Sequence, residues 1–164
     1  MKPGTLTFFC GKMGAGKSTK ASKVAHASQA VLISEDEWLA SLYPNKISSL
    51  SDYIEYSGLL KPQIKKLVQS ILSAGTNVVM DFPANTVSQR EWFRSIFSEI
   101  HAPHNLILID VPNEVCLGQI AKRRQEQPVR AATDTPEMFE KVTQYFTAPS
   151  SDEGFNIIKV TQND

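Results

Sequence analysis

The chain of 164 residues has only two cysteines, Cys10 and Cys116, far apart and without metal-ligand spacing. That argues against a disulfide framework and a cysteine-based metal site, and suits two reduced thiols. No apolar run approaches the ~20 residues of a membrane-spanning helix. A first apolar strand begins at about Thr5, which leaves no room for a signal peptide before it. A soluble, cytoplasmic protein with no membrane contact is therefore expected. Charge of one sign is missing too: 17 Lys and Arg balance 17 Asp and Glu. Proteins that grip long nucleic acid usually carry a basic surplus, so this balance disfavours such a partner while permitting a local basic pocket. Repeats and low-complexity tracts are absent. With 41% hydrophobic residues, the composition suits one domain over residues 1–164 with a core of its own.

What is present is an alternation of short apolar runs and longer amphipathic stretches. TLTFFC from Thr5, AVLIS (Ala30 to Ser34), NVVMD (Asn77 to Asp81), NLILID (Asn105 to Asp110) and FNIIKV (Phe155 to Val160) read as strands. Between them, Lys17 to Ser28 reads as a helix, and Ser34 with Glu37 forms a capping box for the next one. Asn45 to Asp52 reads as a loop. Tyr53 to Ala74 carries a helical stripe of Leu60, Ile64, Leu67, Val68, Ile71 and Leu72, closed by Gly75. Pro62 either kinks that helix or moves its start to Lys61. Ser88 and Glu91 suggest another capping box, with a helix to about Ile100. Asn113 can cap a helix that stops near Gln127, before Pro128. Val129 to Asp134 reads as a polar loop, and Thr135 with Pro136 starts the last long helix. Strands alternating with helices predict an α/β fold: a five-stranded parallel sheet with helices on both faces, in three layers. Ligands on such sheets bind beyond the carboxyl ends of the strands.

One of those ends carries the most specific signal. Gly11-Lys12-Met13-Gly14-Ala15-Gly16-Lys17-Ser18 matches G-x-x-x-x-G-K-[ST], between a strand and a helix. The glycines let backbone N–H groups turn inward as an anion nest. The helix start adds free N–H groups and the positive end of its dipole. Lys17 reaches the β- and γ-phosphates of a nucleotide, and the Ser18 hydroxyl coordinates Mg2+. Thr19 either touches the α-phosphate or helps cap the helix.

No N-K-x-D segment is present to read guanine, which argues against a GTPase. A kinase needs a carboxylate to orient and deprotonate an acceptor hydroxyl, arginines to neutralise the moving phosphoryl group, and a cover that excludes water. Asp36, just past the second strand, can supply the carboxylate, although an acid at a helix start also suits the dipole, as Glu35 and Glu37 do. Lys122, Arg123, Arg124 and Arg130 can supply the positive charge, although a basic run at a helix end is equally a solvated face. Asp81 and Asp110 each close an apolar strand; Asp81 is the better metal-holding acid because Asn85 and Arg90 follow it. His26, His101 and His104 read as structural, and Trp38 and Trp92 as packing residues.

Together, Gly11 to Thr19, LISEDEW, VVMDFPANTVSQR, AKRRQEQPVRAATD and YFTAPSSDEGFNI resemble the small P-loop predicted kinases, AAA-like ATP-binding domains. These are similar to the kinase module of polynucleotide kinases, to chloramphenicol phosphotransferase and to zeta toxins. The resemblance covers nearly the whole chain. It implies an adenylate-kinase-like P-loop NTPase fold with a small helical lid over about residues 122–136, and the cofactors ATP and Mg2+. It also implies Asp36 as acceptor-activating acid, and Asp81 near the metal or acceptor. Asn85 and Arg90 would line the acceptor side, with Arg123 and Arg130 as lid arginines. The family often places an Arg a few residues after the helix-start Asp; here Trp38, Leu39 and Ala40 follow, which disfavours a nucleic-acid acceptor. The expected function is transfer of the ATP γ-phosphoryl group to a hydroxyl on a small molecule. The alternatives are a 5′-hydroxyl polynucleotide kinase-like enzyme and a nucleotide-binding switch or slow ATPase with a protein partner.

Overall fold

The computed structural model describes residues 2–161. Five strands form one sheet: β1 (Leu6–Cys10), β2 (Val31–Ser34), β3 (Val78–Pro83), β4 (His104–Ile109) and β5 (Ile157–Val160). Their order is β2-β3-β1-β4-β5, and every neighbouring pair is parallel. The phosphate-loop strand β1 is thus central and buried along its whole length. Its alternation splits the core. Leu6, Phe8 and Cys10 point into one cluster, and Phe9 into the other.

The helices fill both faces. The Leu6 side is covered by α2 (Glu35–Leu42), α3 (Leu50–Ser73) and α4 (Val87–Ser98), through Leu39, Leu60, Ile64, Val68, Leu72, Phe93, Ile96 and Phe97. Phe8 stacks on Phe93 with ring centroids 4.4 Å apart. Burying such a ring fully is worth about 2–3 kcal/mol. The Phe9 side is covered by α1 (Lys17–Ala27), α5 (Asn113–Glu126) and α6 (Pro136–Thr143), through Ala21, Ala25, Cys116, Ile120 and Phe139.

Several boundaries differ from the sequence reading. Helix α3 begins at Leu50 rather than Tyr53, because the Ser49 side chain accepts from the Asp52 N–H and caps it. The helix runs through Pro62 without a break. Pro62 and Gly58 one turn earlier are both exposed, so the carbonyl left without an amide partner can be hydrated. At its end Gly75 N–H donates to Leu72 O and Thr76 N–H to Ile71 O, a Schellman pair. Helix α4 is capped by Thr86, whose side chain accepts from Gln89 N–H, and Ser88 lies inside the helix. Asn113 is the first residue of α5 and does not cap it. Helix α6 starts at Pro136 under a Thr135 cap, as expected, but has only eight residues. No helix of the described residues is long and apolar enough to cross a membrane.

Candidate active site

The loop after β1 turns at two glycines in the left-handed region, Gly14 (φ 81°) and Gly16 (φ 96°). At Gly14 a Cβ would also lie 2.5 Å from Cys116 O, so only glycine lets the loop press against α5. At Gly16, the residue preceding α1, no side chain caps the helix. The first N–H groups of α1 are thus left to an anion. The loop is held at its start from outside and by a turn of its own. Gly11 N–H donates to Asn85 Oδ1 at 2.9 Å, and Ala15 N–H to Lys12 O at 2.9 Å. Asn85, expected to line the acceptor side, is thus seen to hold the start of the phosphate loop. Lys12 Nζ donates to Asn113 Oδ1 at 2.9 Å and lies over the Phe146 ring, which ties the loop to the start of α5.

Asp81 pairs with Ser34 in the β2–β3 register and is nearly buried. Its Oδ2 accepts from Ser18 Oγ at 2.7 Å. A hydroxyl and a carboxylate oxygen meeting beside a phosphate loop fit a hard cation such as Mg2+, which typically uses one or two carboxylates and takes its other ligands from phosphates and water. Asp110 lies elsewhere, in an exposed pair with Lys159 at 3.3 Å.

Asp36 and Glu35 are adjacent in sequence but not in environment. The Asp36 side chain is 59% exposed at the start of α2. Glu35 is buried, accepting from Tyr53 Oη at 2.5 Å and Ser57 Oγ at 2.7 Å. Burial pushes the Glu35 carboxyl up, against the two hydroxyl bonds that favour its charge. Glu35 therefore clamps α3 to the β2–α2 turn, a role that its position at a helix start did not reveal. Its partners lie 18 and 22 residues away, beyond the reach of local pattern.

The arginines separate in the same way. Arg123 donates twice to Asp134, Nε to Oδ2 at 2.8 Å and Nη2 to Oδ1 at 2.7 Å. Arg130, at the end of a 3-10 turn (Pro128–Arg130), donates from Nε to Asp134 Oδ2 at 2.9 Å. Its Nη1 lies 3.5 Å from Asp36 Oδ2. Arg123, Arg130 and Asp36 thus come together, with Asp134 as a fourth member that the sequence reading left in a polar loop. Arg124 is exposed and outside this group. Arg90, expected on the acceptor side, is fully buried. It donates to both Glu153 oxygens, at 2.7 and 3.3 Å, and to Ala84 O at 2.9 Å. No face of it is left for a substrate.

Two cavities flank α5. One of about 210 Å³ runs from the phosphate loop past Thr19, Ile109, Val115 and Gln119 to Val160. The other, about 470 Å³, lies between α5 and the 128–136 segment, against Leu117, Ala121, Pro128 and Asp134. Only the smaller opens onto Ala15 and Gly16, where a nucleotide would enter.

An AAA domain family model matches residues 6–149. No curated protein matches the chain. Solved structures are similar in fold. A Chloroflexus aurantiacus protein is 17% identical with a TM-score of 0.77, over 98% of this chain and 86% of that one. Chaetomium thermophilum Kti12, in complex with ADP-AlF3, is 18% identical with a TM-score of 0.68, over 97% and 90%. Mycobacterium tuberculosis APS kinase CysC, in complex with AMPPNP and APS, is 15% identical with a TM-score of 0.67, over 100% and 91%. The fold is that of the P-loop kinases.

Proposed function

The chain belongs to the AAA domain family, and from that premise we propose that it is an ATP-dependent phosphotransferase acting on a hydroxyl of a small molecule. The observation that carries this reading is the approach of Arg130 to Asp36 at 3.5 Å, which brings charge-neutralising arginine and candidate base to one place. A nucleotide switch needs no such convergence.

The residues divide the work. With the Gly11 and Ala15 N–H groups taken by Asn85 and Lys12 O, the other N–H groups from Lys12 to Thr19, including those at the start of α1, cradle the phosphates, and Lys17 spans the β- and γ-groups. The cavity past Thr19 and Gln119 takes the nucleoside. Ser18 and Asp81 would hold Mg2+, which would supply positive charge to offset that of the phosphates. Asp36 accepts a hydrogen bond from the acceptor hydroxyl and then its proton, as the oxygen bonds to the γ-phosphorus and ADP leaves with the bridging oxygen. Arg123 and Arg130 offset the charge on the equatorial oxygens. The even net charge and the lack of an arginine soon after Asp36 favour a small acceptor over an oligonucleotide.

Calorimetry with Mg-ATP, and transfer from labelled ATP to a panel of alcohols, nucleosides, antibiotics and oligonucleotides, test the proposal. Lys17→Ala should abolish nucleotide binding. Asp36→Asn should keep nucleotide affinity within about threefold and lower transfer by roughly 100-fold or more. Unchanged transfer in Asp36→Asn would remove Asp36 from the mechanism.

A further inference from the structure

Asp134 is 1% exposed, yet it belongs to no phosphate, metal or acceptor motif. Both of its oxygens are used. Oδ1 takes Arg123 Nη2, while Oδ2 takes Arg123 Nε and Arg130 Nε. Its own N–H donates to Arg130 O at 2.8 Å, so the turn carrying Arg130 closes on the acid that holds the Arg130 side chain. Burial alone would raise its pKa, but the bonds from Arg123 and Arg130 outweigh that and lower it. A buried carboxylate is a poor device for stability, since well-packed apolar residues of similar volume often serve better. Its cost makes sense if the geometry it imposes is needed.

That geometry has two parts. The bidentate grip on Arg123 removes the rotational freedom of a long side chain. For Arg130, Asp134 competes with Asp36. The Arg130 Nε contact to Asp134 is 2.9 Å, whereas the Arg130 Nη1 contact to Asp36 is a looser 3.5 Å. Without Asp134, Arg130 would be free to close on Asp36 and occupy the lone pairs that an acceptor hydroxyl needs.

We infer that Asp134 is the positioning residue of this site: it fixes Arg123 and Arg130 as one rigid pair and keeps Arg130 from collapsing onto Asp36. The inference rests on the reading of Arg123 and Arg130 as groups that stabilise the moving phosphoryl group. Asp134 itself touches no reactant.

The test compares Asp134→Asn and Asp134→Glu with the parent, each as the full chain. Calorimetry is run with Mg-AMPPNP, a ground-state analogue, and with Mg-ADP plus aluminium fluoride, a mimic of the moving phosphoryl group. Asp134→Asn should bind AMPPNP within about threefold of the parent but the aluminium fluoride complex roughly 100-fold more weakly, the loss expected when a preorganised donor is misplaced. Asp134→Glu, which restores the carboxylate on a longer arm, should recover part of that loss. Equal weakening of both analogues, or of neither, overturns the proposal. A second readout needs no nucleotide. In the parent, the arginine Nε–H signals of Arg123 and Arg130 should be sharp and slow to exchange in NMR, as should Arg90 on Glu153. Asp134→Asn should broaden or lose the first two and leave Arg90 unchanged. If both persist in the variant, Asp134 does not hold them. A parent that binds no nucleotide would sink the phosphotransferase reading, and the Nε–H comparison alone would then decide the positioning role.

Discussion

Two arginine–carboxylate clusters, Arg90 with Glu153 and Arg123 and Arg130 with Asp134, share the same chemistry and differ in exposure. In one, Arg90 is sealed at 0% exposure, its guanidinium spent on Glu153 and on Ala84 O. Arg94 extends this cluster by donating to the Glu153 carbonyl and lying over the Phe155 ring. The result ties α4 to the chain leading into β5. In the other, Arg123 and Arg130 keep 29% and 26% of their side-chain surface while sharing Asp134. One cluster joins elements; the other keeps part of its charge exposed to solvent. Residue type does not distinguish them. What does is whether the guanidinium retains a face toward solvent after its carboxylate is satisfied.

The largest expected effect tests this division directly. Arg90→Ala should destabilise the protein by about 3–5 kcal/mol in urea denaturation, because it removes a fully buried side chain and leaves the Ala84 carbonyl and the partly exposed Glu153 carboxylate without their partner. Below its melting point it should bind Mg-ATP like the parent. If stability holds and nucleotide or acceptor binding falls instead, Arg90 belongs to the site after all.

A middle-sized effect should appear with pH. The Arg90 hydrogen bonds hold the Glu153 carboxyl below its usual range. Asp134 is lowered too, the two arginines overcoming its burial. A carboxyl depressed in the folded state adds stability above its unfolded pKa, near 4, and loses it as pH falls through the folded value. Glu35 runs the other way: burial raises it, so its contribution falls as pH climbs from its unfolded value through the folded one. Stability measured from pH 3 to 7 should therefore lose its acid limb partly in Glu153→Gln. It should gain at neutral pH in Glu35→Gln, which keeps hydrogen-bonding groups for Tyr53 and Ser57. An unchanged acid limb in Glu153→Gln would mean that the Arg90 pair is not formed in solution.

The smallest effect belongs to Arg124, next to Arg123 in sequence and exposed. Arg124→Ala should alter stability by no more than about 0.5 kcal/mol and leave transfer unchanged. A loss of transfer equal to that of Arg123→Ala would dissolve the distinction between a held arginine and a solvated one.

Much of the frame was legible because its signals are local. Apolar alternation marked β1, the glycine spacing marked the phosphate loop, and the Thr135-Pro136 pair marked the start of α6. The capping residues were legible in kind but not always in place. Ser88 stood in for Thr86, two positions earlier, because either hydroxyl can precede a helix and only the backbone selects one. Asn113 resembled a cap, yet its side chain faces Lys12, 101 positions away. Arg90 followed Asp81 and Asn85 in sequence and so seemed to line the same opening. The turn into α4 carries it inward to Glu153, 63 positions on.

By itself, then, the order of residues determined the strands, the helices and the glycine-rich turn, since each depends on neighbours within a few positions along the chain, and their alternation implied the parallel sheet. Tertiary structure alone decided which acid meets Ser18, which arginines remain open, that Glu35 is buried while Asp36 is not, and that Asp134 joins two arginines to a third element. The reason is that burial and charge pairing are set by atoms brought together from distant parts of the chain, and a local pattern carries no record of those distances.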